Sequence, residues 1–214
     1  MDVEQILVGK MAVFSYLLSC PETKEALIID PAGNEEQLVK RIKEKNLKLK
    51  YIVNTHGHSD HTGGNAKMKK LTGAAIVLHA ADDGLFRSPE AVAFGRQMGF
   101  EPSPPADKTV ADGDELVIGN VALKVIHTPG HTPGGICLLA KGNLFTGDTL
   151  FVGGIGRTDL PGSDHRLFMN AIKDKLLTLP DETIVWPGHD YGPNTSSTIG
   201  LEKIANPWLR RMIY

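Results

Sequence analysis

Apolar residues fall in short runs along the first third of the chain. Ile6-Leu7-Val8, the stretch over 11–20 and Ala26-Leu27-Ile28-Ile29, with a turn at Pro21-Glu22-Thr23-Lys24, predict three consecutive strands. Asp30-Pro31-Ala32-Gly33 ends the third. The period then lengthens. Leu38, Val39 and Ile42 share one face, with Lys40, Lys43 and Glu44 outward, so a helix is expected from an Asn34 N-cap, with Gln37 as capping-box partner, to about Lys45. A strand over 48–54, a helix over 63–71 and a strand over 75–78 follow. The pattern is lost over 80–109, where Phe86, Phe94, Met98 and Phe100 lie among glycines and prolines. That stretch reads either as a lip over a site or as a satellite packing cluster with a proline-rich return.

The second half repeats the rhythm. A turn at Asp112-Gly113-Asp114 leads into a hairpin, 116–118 with 121–126, around Gly119-Asn120. Strands follow over 136–139 and 144–146, then a glycine-rich loop over 153–162, a helix over 165–177 and a strand over 183–186. Thr198 caps a short helix before Pro207. Two halves of strands, helix and strand, about 1–109 and 110–214, predict an α/β fold of two mixed sheets face to face with helices outside. No linker separates them, so one domain over 1–214 is expected.

Composition narrows the class without changing this picture. The chain has 214 residues, 41% hydrophobic and 22% charged, with 23 basic against 25 acidic residues and a net charge of -2. Disordered and fibrous classes are excluded, and nothing suggests a nucleic-acid or membrane surface. Residues 10–20 look superficially like a signal segment, but Asp2 and Glu4 make the region before them acidic, and the run reads as a strand. Cys20 and Cys137 form no framework and read as reduced core thiols, so the expected location is cytoplasmic.

The candidate chemistry sits at strand ends. His56, His58, Asp60 and His61 fall within six positions after Tyr51-Ile52-Val53. Imidazole and carboxylate are ligands for zinc, iron and manganese. One short loop can hardly wrap four donors around one ion, whereas two pairs could serve two adjacent ions. Further donors, His131, Asp148 and His189, each follow a predicted strand in a glycine-containing loop. The set becomes five imidazoles and two carboxylates. If Asp148 bridges, each of two ions has four protein ligands.

Taken in order, Thr55-His56-x-His58-x-Asp60-His61, Gly130-His131-Thr132-Pro133-Gly134, Thr146-Gly147-Asp148-Thr149-Leu150-Phe151 and Gly188-His189-Asp190-Tyr191 resemble the metallo-β-lactamase superfamily, most of all its glyoxalase II-like thioester hydrolases. The resemblance runs from the first strands to Trp208. It implies a four-layer αβ/βα sandwich with the site at one edge. It implies one metal held by His56, His58 and His131, the other by Asp60, His61 and His189, and Asp148 shared. Two divalent ions are expected, zinc first, with iron and manganese as alternatives. Asp30 matches a position that supports a ligand imidazole from behind; the other reading is a turn residue before Pro31. His79, His127 and His165 match no ligand position.

The reaction so implied is hydrolysis of a thioester such as a 2-hydroxyacyl-glutathione, by a hydroxide shared between the ions beside Asp60 and Asp148. A thiolate leaves readily, so no separate acid is needed. Glyoxalase II enzymes have a longer C-terminal helical region whose basic residues hold glutathione, and the residues after Trp208 leave little room for one. That departure bears on glutathione specificity and not on hydrolysis. Arg157 falls at a basic glutathione contact, or pairs with Asp159 or Asp164; Tyr191 matches a tyrosine at the second metal. The Gly156-Arg157-Thr158-Asp159 loop also resembles the persulfide dioxygenases of the superfamily, which use a single iron. Thr149-Leu150-Phe151 and Pro187-Gly188-His189 favour the hydrolase. A metal-binding module without catalysis is the third reading. A lactamase is disfavoured because the chain shows no secretion signal, and nucleases carry extra domains and a basic surface that are lacking here.

Overall fold

A computed structural model describes the backbone of residues 1–213 and side chains through Arg210. Among the described residues fourteen strands run in chain order: β1 (Asp2–Val8), β2 (Val13–Ser19), β3 (Glu25–Ile29), β4 (Lys48–Val53), β5 (Ala75–His79), β6 (Lys108–Val110), β7 (Glu115–Ile118), β8 (Val121–His127), β9 (Ile136–Ala140), β10 (Asn143–Gly147), β11 (Leu150–Phe151), β12 (Gly154–Ile155), β13 (Ile184–Pro187) and β14 (Ser197–Thr198). β1 to β6 form one six-stranded sheet in sequence order, antiparallel through β3 and parallel beyond it. The second six-stranded sheet runs β14-β13-β10-β9-β8-β7, with only the β13/β10 pair parallel. Both sheets are mixed, as expected.

Alternation along the strands explains the layers. On β2, Phe14, Tyr16 and Leu18 face inward to Leu116, Leu123, Val125, Leu138 and Phe145 of the second sheet. Val13 and Leu17 face the other way, onto helices α1 (Glu35–Glu44) and α3 (Asn65–Thr72) through Leu38, Val39, Ile42 and Met68. Every residue of β2 is buried, so the run that mimics a signal segment is a strand covered on both faces. The second sheet buries its outer face, Cys137, Leu144 and Val185, against helices α6 (His165–Ala171), α7 (Ile199–Ala205) and α8 (Pro207–Ile213) through Phe168, Ile199 and Leu209. The result is helices, sheet, sheet, helices: the αβ/βα sandwich. Both cysteines are buried and free.

Three local expectations need correction. Asn34 does not cap α1 with its side chain: it sits in the left-handed region, φ 57°, and its side chain donates to the Gln37 side chain at 3.4 Å without accepting from a first-turn N–H. The helix expected over 63–71 is preceded by a separate turn, α2 (Ser59–Thr62), so the second donor pair lies on helical backbone rather than loop. The segment 80–109 is largely regular: α4 (Ala80–Asp83), a 3₁₀ turn (Leu85–Arg87), α5 (Pro89–Gln97) and β6. The helix expected over 165–177 is present, α6 continuing as a π turn over Ile172–Leu176. The Thr198 cap is present, its side chain accepting from the Leu201 N–H.

The sheets meet the site at one edge. Tyr16 donates to the Pro187 carbonyl at 2.5 Å, and Phe14 N–H to the Gly188 carbonyl at 2.9 Å. These bonds dock the end of β13 against the β1–β2 hairpin, just before His189.

Candidate metal centre

Asp30 at the end of β3 sets the first loop. Its carboxylate accepts from Thr55 N–H (2.8 Å) and Thr55 Oγ1 (2.6 Å) and lies 2.9 Å from His61 Nδ1. Asp30, Thr55 and His61 are all buried, so of the two readings of Asp30 the supporting one describes what it touches. Gly147, with φ 48°, lets β10 pass against Thr55; a Cβ there would lie 2.4 Å from the Thr55 hydroxyl. Asp148, the next residue, therefore enters the cleft beside the first loop.

All seven predicted donors converge. Three groups have ligand atoms within 4.8 Å of one another: His56, His58 and His131; Asp60, His61 and His189; and His56, His61 and Asp148. Asp148 Oδ1 is 3.3 Å from His61 Nε2, and its Oδ2 is 3.4 Å from His189 Nε2 and 3.6 Å from His131 Nε2. One carboxylate thus reaches both histidine groups. Two donors each about 2.0 Å from one tetrahedral ion stand about 3.3 Å apart, which is the spacing found.

The fold also decides which nitrogen faces the cleft. His61 Nδ1 is taken by Asp30, His131 Nδ1 by the Arg157 carbonyl at 2.7 Å, and His189 Nδ1 by the Met11 carbonyl at 2.8 Å. His56 Nδ1 is 3.1 Å from Thr55 Oγ1, whose proton goes to Asp30. Each of these four rings therefore turns its Nε2 inward, where it can coordinate a cation once any proton on it is lost. His61 Nε2 and His189 Nε2 stand 3.1 Å apart. Lone pairs at that distance repel unless a cation stands between them or one ring takes a proton. His56 Nε2 and Asp148 Oδ1 are buried without a hydrogen-bond partner; the 3.3 Å approach of His61 to that oxygen is close but poorly aligned. Orphaned inward donors of this kind fit metal ions.

Charge in the metal-free site follows from burial and neighbours. Burial and the nearby His61 push His56 well down, and burial with His131 pushes His58 down to about 4. Burial opposes charge on His61 as well, but Asp148, Asp30 and Asp60 together hold it well above the usual histidine range. Asp148 stays well below the usual carboxylate range because His61 and His189 outweigh the cost of burying it. A cation entering the site displaces the proton that His61 holds.

A family description, the metallo-β-lactamase superfamily, matches residues 8–189. The chain belongs to that superfamily. Among its relatives in the superfamily is hydroxyacylglutathione hydrolase GloC of Haemophilus influenzae, 40% identical over 192 residues, 88% of this chain and 89% of the other. The human mitochondrial persulfide dioxygenase ETHE1 is 35% identical over 203 residues, 92% of this chain and 71% of that protein. Of solved structures, the BLEG-1 B3 metallo-β-lactamase superposes with TM-score 0.88 at 36% identity, over 97% of this chain and 99% of that one. TTHA1623 in a di-iron-bound form gives 0.85 at 33% identity, over 97% and 100%. This chain therefore has the metallo-β-lactamase fold, and its histidine and aspartate clusters are consistent with a binuclear metal site.

Around the superfamily site lie the other named residues. Arg157 pairs with Asp159 through two bonds of 2.8 Å, both side chains largely exposed. Tyr191 stacks on His189, centroids 4.4 Å apart, with Phe151 edge-on at 5.7 Å. His79 and His127 stack on each other at 4.0 Å, and His165 bonds Thr158; none belongs to the three donor groups. The segment over 80–109 packs onto the first loop. Phe86 meets His58 edge-on at 5.0 Å and fills the space a Cβ on Gly57 would need. Gly95 of α5 is buried against Ser59. The residue missed from sequence is Asp82 in α4, fully buried behind Gly57 and Thr132. Asp82 lies in the stretch over 80–109 where the pattern is lost, and only the burial of its side chain reveals it.

Proposed function

We propose that the chain is a binuclear metal-dependent thioester hydrolase of the glyoxalase II type. In this reading His56, His58 and His131 hold one ion, Asp60, His61 and His189 the other, and Asp148 is shared. The observation that carries it is the placement of the Asp148 carboxylate, within 3.6 Å of nitrogens from both histidine groups. Likeness to a hydroxyacylglutathione hydrolase at 40% identity supports the acyl-glutathione class.

When bound, the ions supply Lewis acidity that polarises the acyl oxygen and brings a water's pKa towards neutrality. Asp60 and Asp148 line the same space, so a water there donates to their oxygens and its lone pair is turned to the acyl carbon. Only 17% of the Asp60 side chain and 12% of that of Asp148 are exposed, which keeps both carboxylates close to bulk-water-poor surroundings. The thiolate needs no protein acid to leave. Burial, Asp148 and Asp60 all raise the pKa of Tyr191, so its hydroxyl remains a donor at the cleft edge. Arg157 offers a cation for a substrate carboxylate, since an exposed ion pair such as that with Asp159 is readily exchanged.

The rival reading is an iron-dependent persulfide dioxygenase, supported by 35% identity to ETHE1. Assaying one preparation for S-lactoylglutathione hydrolysis and for O2 uptake on glutathione persulfide separates the two. Thioester turnover without O2 uptake is expected. O2 uptake without hydrolysis overturns the proposal, and neither activity in fully metallated protein points to a binding module.

A further inference from the structure

The hydrogen bonds of Asp82 converge on both loops that supply the first histidine group. Its Oδ2 accepts from Gly57 N–H at 2.9 Å, between His56 and His58, and from Thr132 Oγ1 at 2.8 Å, next to His131. Its Oδ1 accepts from Gly134 N–H at 2.5 Å. The carboxylate has no ion-pair partner among the described residues, yet it is fully buried. Taking an anion out of water with only neutral donors around it is costly. Gly134 is shaped for it: a Cβ there would lie 2.7 Å from the carboxylate carbon. The same two loops bring His58 Nδ1 to 3.0 Å from His131 Nε2. Their other direct tie, Ile136 N–H to the Thr55 carbonyl at 2.8 Å, lies behind the ligands.

We infer that Asp82 is the positioning residue of the first ion, clamping the His56–His58 loop to the His131 loop. This rests on the binuclear reading above. Asp30 does the corresponding work for the second group through His61 and Thr55. Apart from the shared Asp148 the first group supplies no carboxylate, so a cation held there also offsets the burial of the Asp82 anion. Asp82 touches neither ion nor substrate; it acts through Gly57, Thr132 and Gly134.

The test is zinc titration of the apoprotein against a competing chromophoric chelator. His131→Ala identifies which binding step belongs to the first group, because it deletes a ligand of that group alone. In Asp82→Asn the amide must turn an N–H towards either Gly134 N–H or the Gly57 and Thr132 donors. That step is expected to weaken by about 10–100-fold, the usual cost of losing a group that orients ligands, while the other step holds. Thr132→Val removes one donor and keeps Asp82; it is expected to weaken the same step by less, and it carries the test if Asp82→Asn fails to accumulate. Equal weakening of both steps means a general structural role and overturns the inference, as does no change at either. A single zinc step in the unaltered protein would sink the binuclear reading instead. Asp82 would then be judged on whether that step is abolished by His131→Ala and weakened by Asp82→Asn.

Discussion

Replacing Asp30 by asparagine separates the charge of this residue from its shape. Asp30 holds φ 47°, a left-handed conformation that asparagine tolerates and alanine does not. The backbone is therefore expected to stay in place. The cheaper amide orientation keeps its oxygen towards Thr55 Oγ1 and His61 Nδ1, and puts its NH2 against Thr55 N–H, now 2.8 Å from a carboxylate oxygen. One hydrogen bond to a charged acceptor is lost and one buried N–H is left without a partner. Those terms together cost about 2–4 kcal/mol in surroundings this dry. In urea unfolding of the metal-free protein that corresponds to a midpoint lower by about 1 M with an unchanged slope. The companion effect is weaker binding at the second ion, whose ligand His61 loses its anionic partner. A midpoint shift below about 0.2 M would show that the loop does not depend on the carboxylate.

Other expectations are as direct. The metal-free protein should lose stability as pH falls from about 6.5 to about 4. Over that window His58 takes up a proton in the unfolded chain, whereas burial and His131 keep it neutral in the fold down to about 4. His61, held well above its usual value, and Asp148, held well below, each contribute fully across it; metal-loaded protein should fall more steeply, because bound ions keep all the ligand imidazoles unprotonated while the unfolded chain takes up protons, checked by denaturation at each pH. Arg157→Ala should raise KM about tenfold for an acyl-glutathione and leave kcat nearly unchanged, the signature of lost uniform binding; a fall in kcat alone would argue against a substrate contact. Phe168→Ala, which empties a fully buried site under the Gly130-His131 turn, should cost about 3–5 kcal/mol and is read by thermal unfolding.

The donor set is legible because each donor follows a strand within a short motif, and strand ends can be placed from hydrophobic runs alone. Asp30 was half legible, its position suggestive but its partners not. What stayed hidden depends on contacts between distant segments. α5 begins with Ser88 capping Ala91 N–H and Pro89 at its first turn, a start signal present in the sequence. Its apolar Phe94 is 64% exposed and its buried residue is Gly95, so no hydrophobic stripe marks it. Asn34 departs from the capping expectation because a good capping residue is also a good left-handed one. Asp82 carries no local signal at all, since its three donors come from 25 to 52 residues away.

The central claim is that Asp148 joins two ions that act as one site. The most direct measurement is thioesterase activity during stepwise zinc reconstitution of the apoprotein, with bound metal counted at each step. Activity that rises mainly as the second equivalent binds, and that Asp148→Ala abolishes while the fold persists, is the expected result. Full activity at one equivalent per chain, or S-lactoylglutathione turnover undiminished in Asp148→Ala, would contradict it.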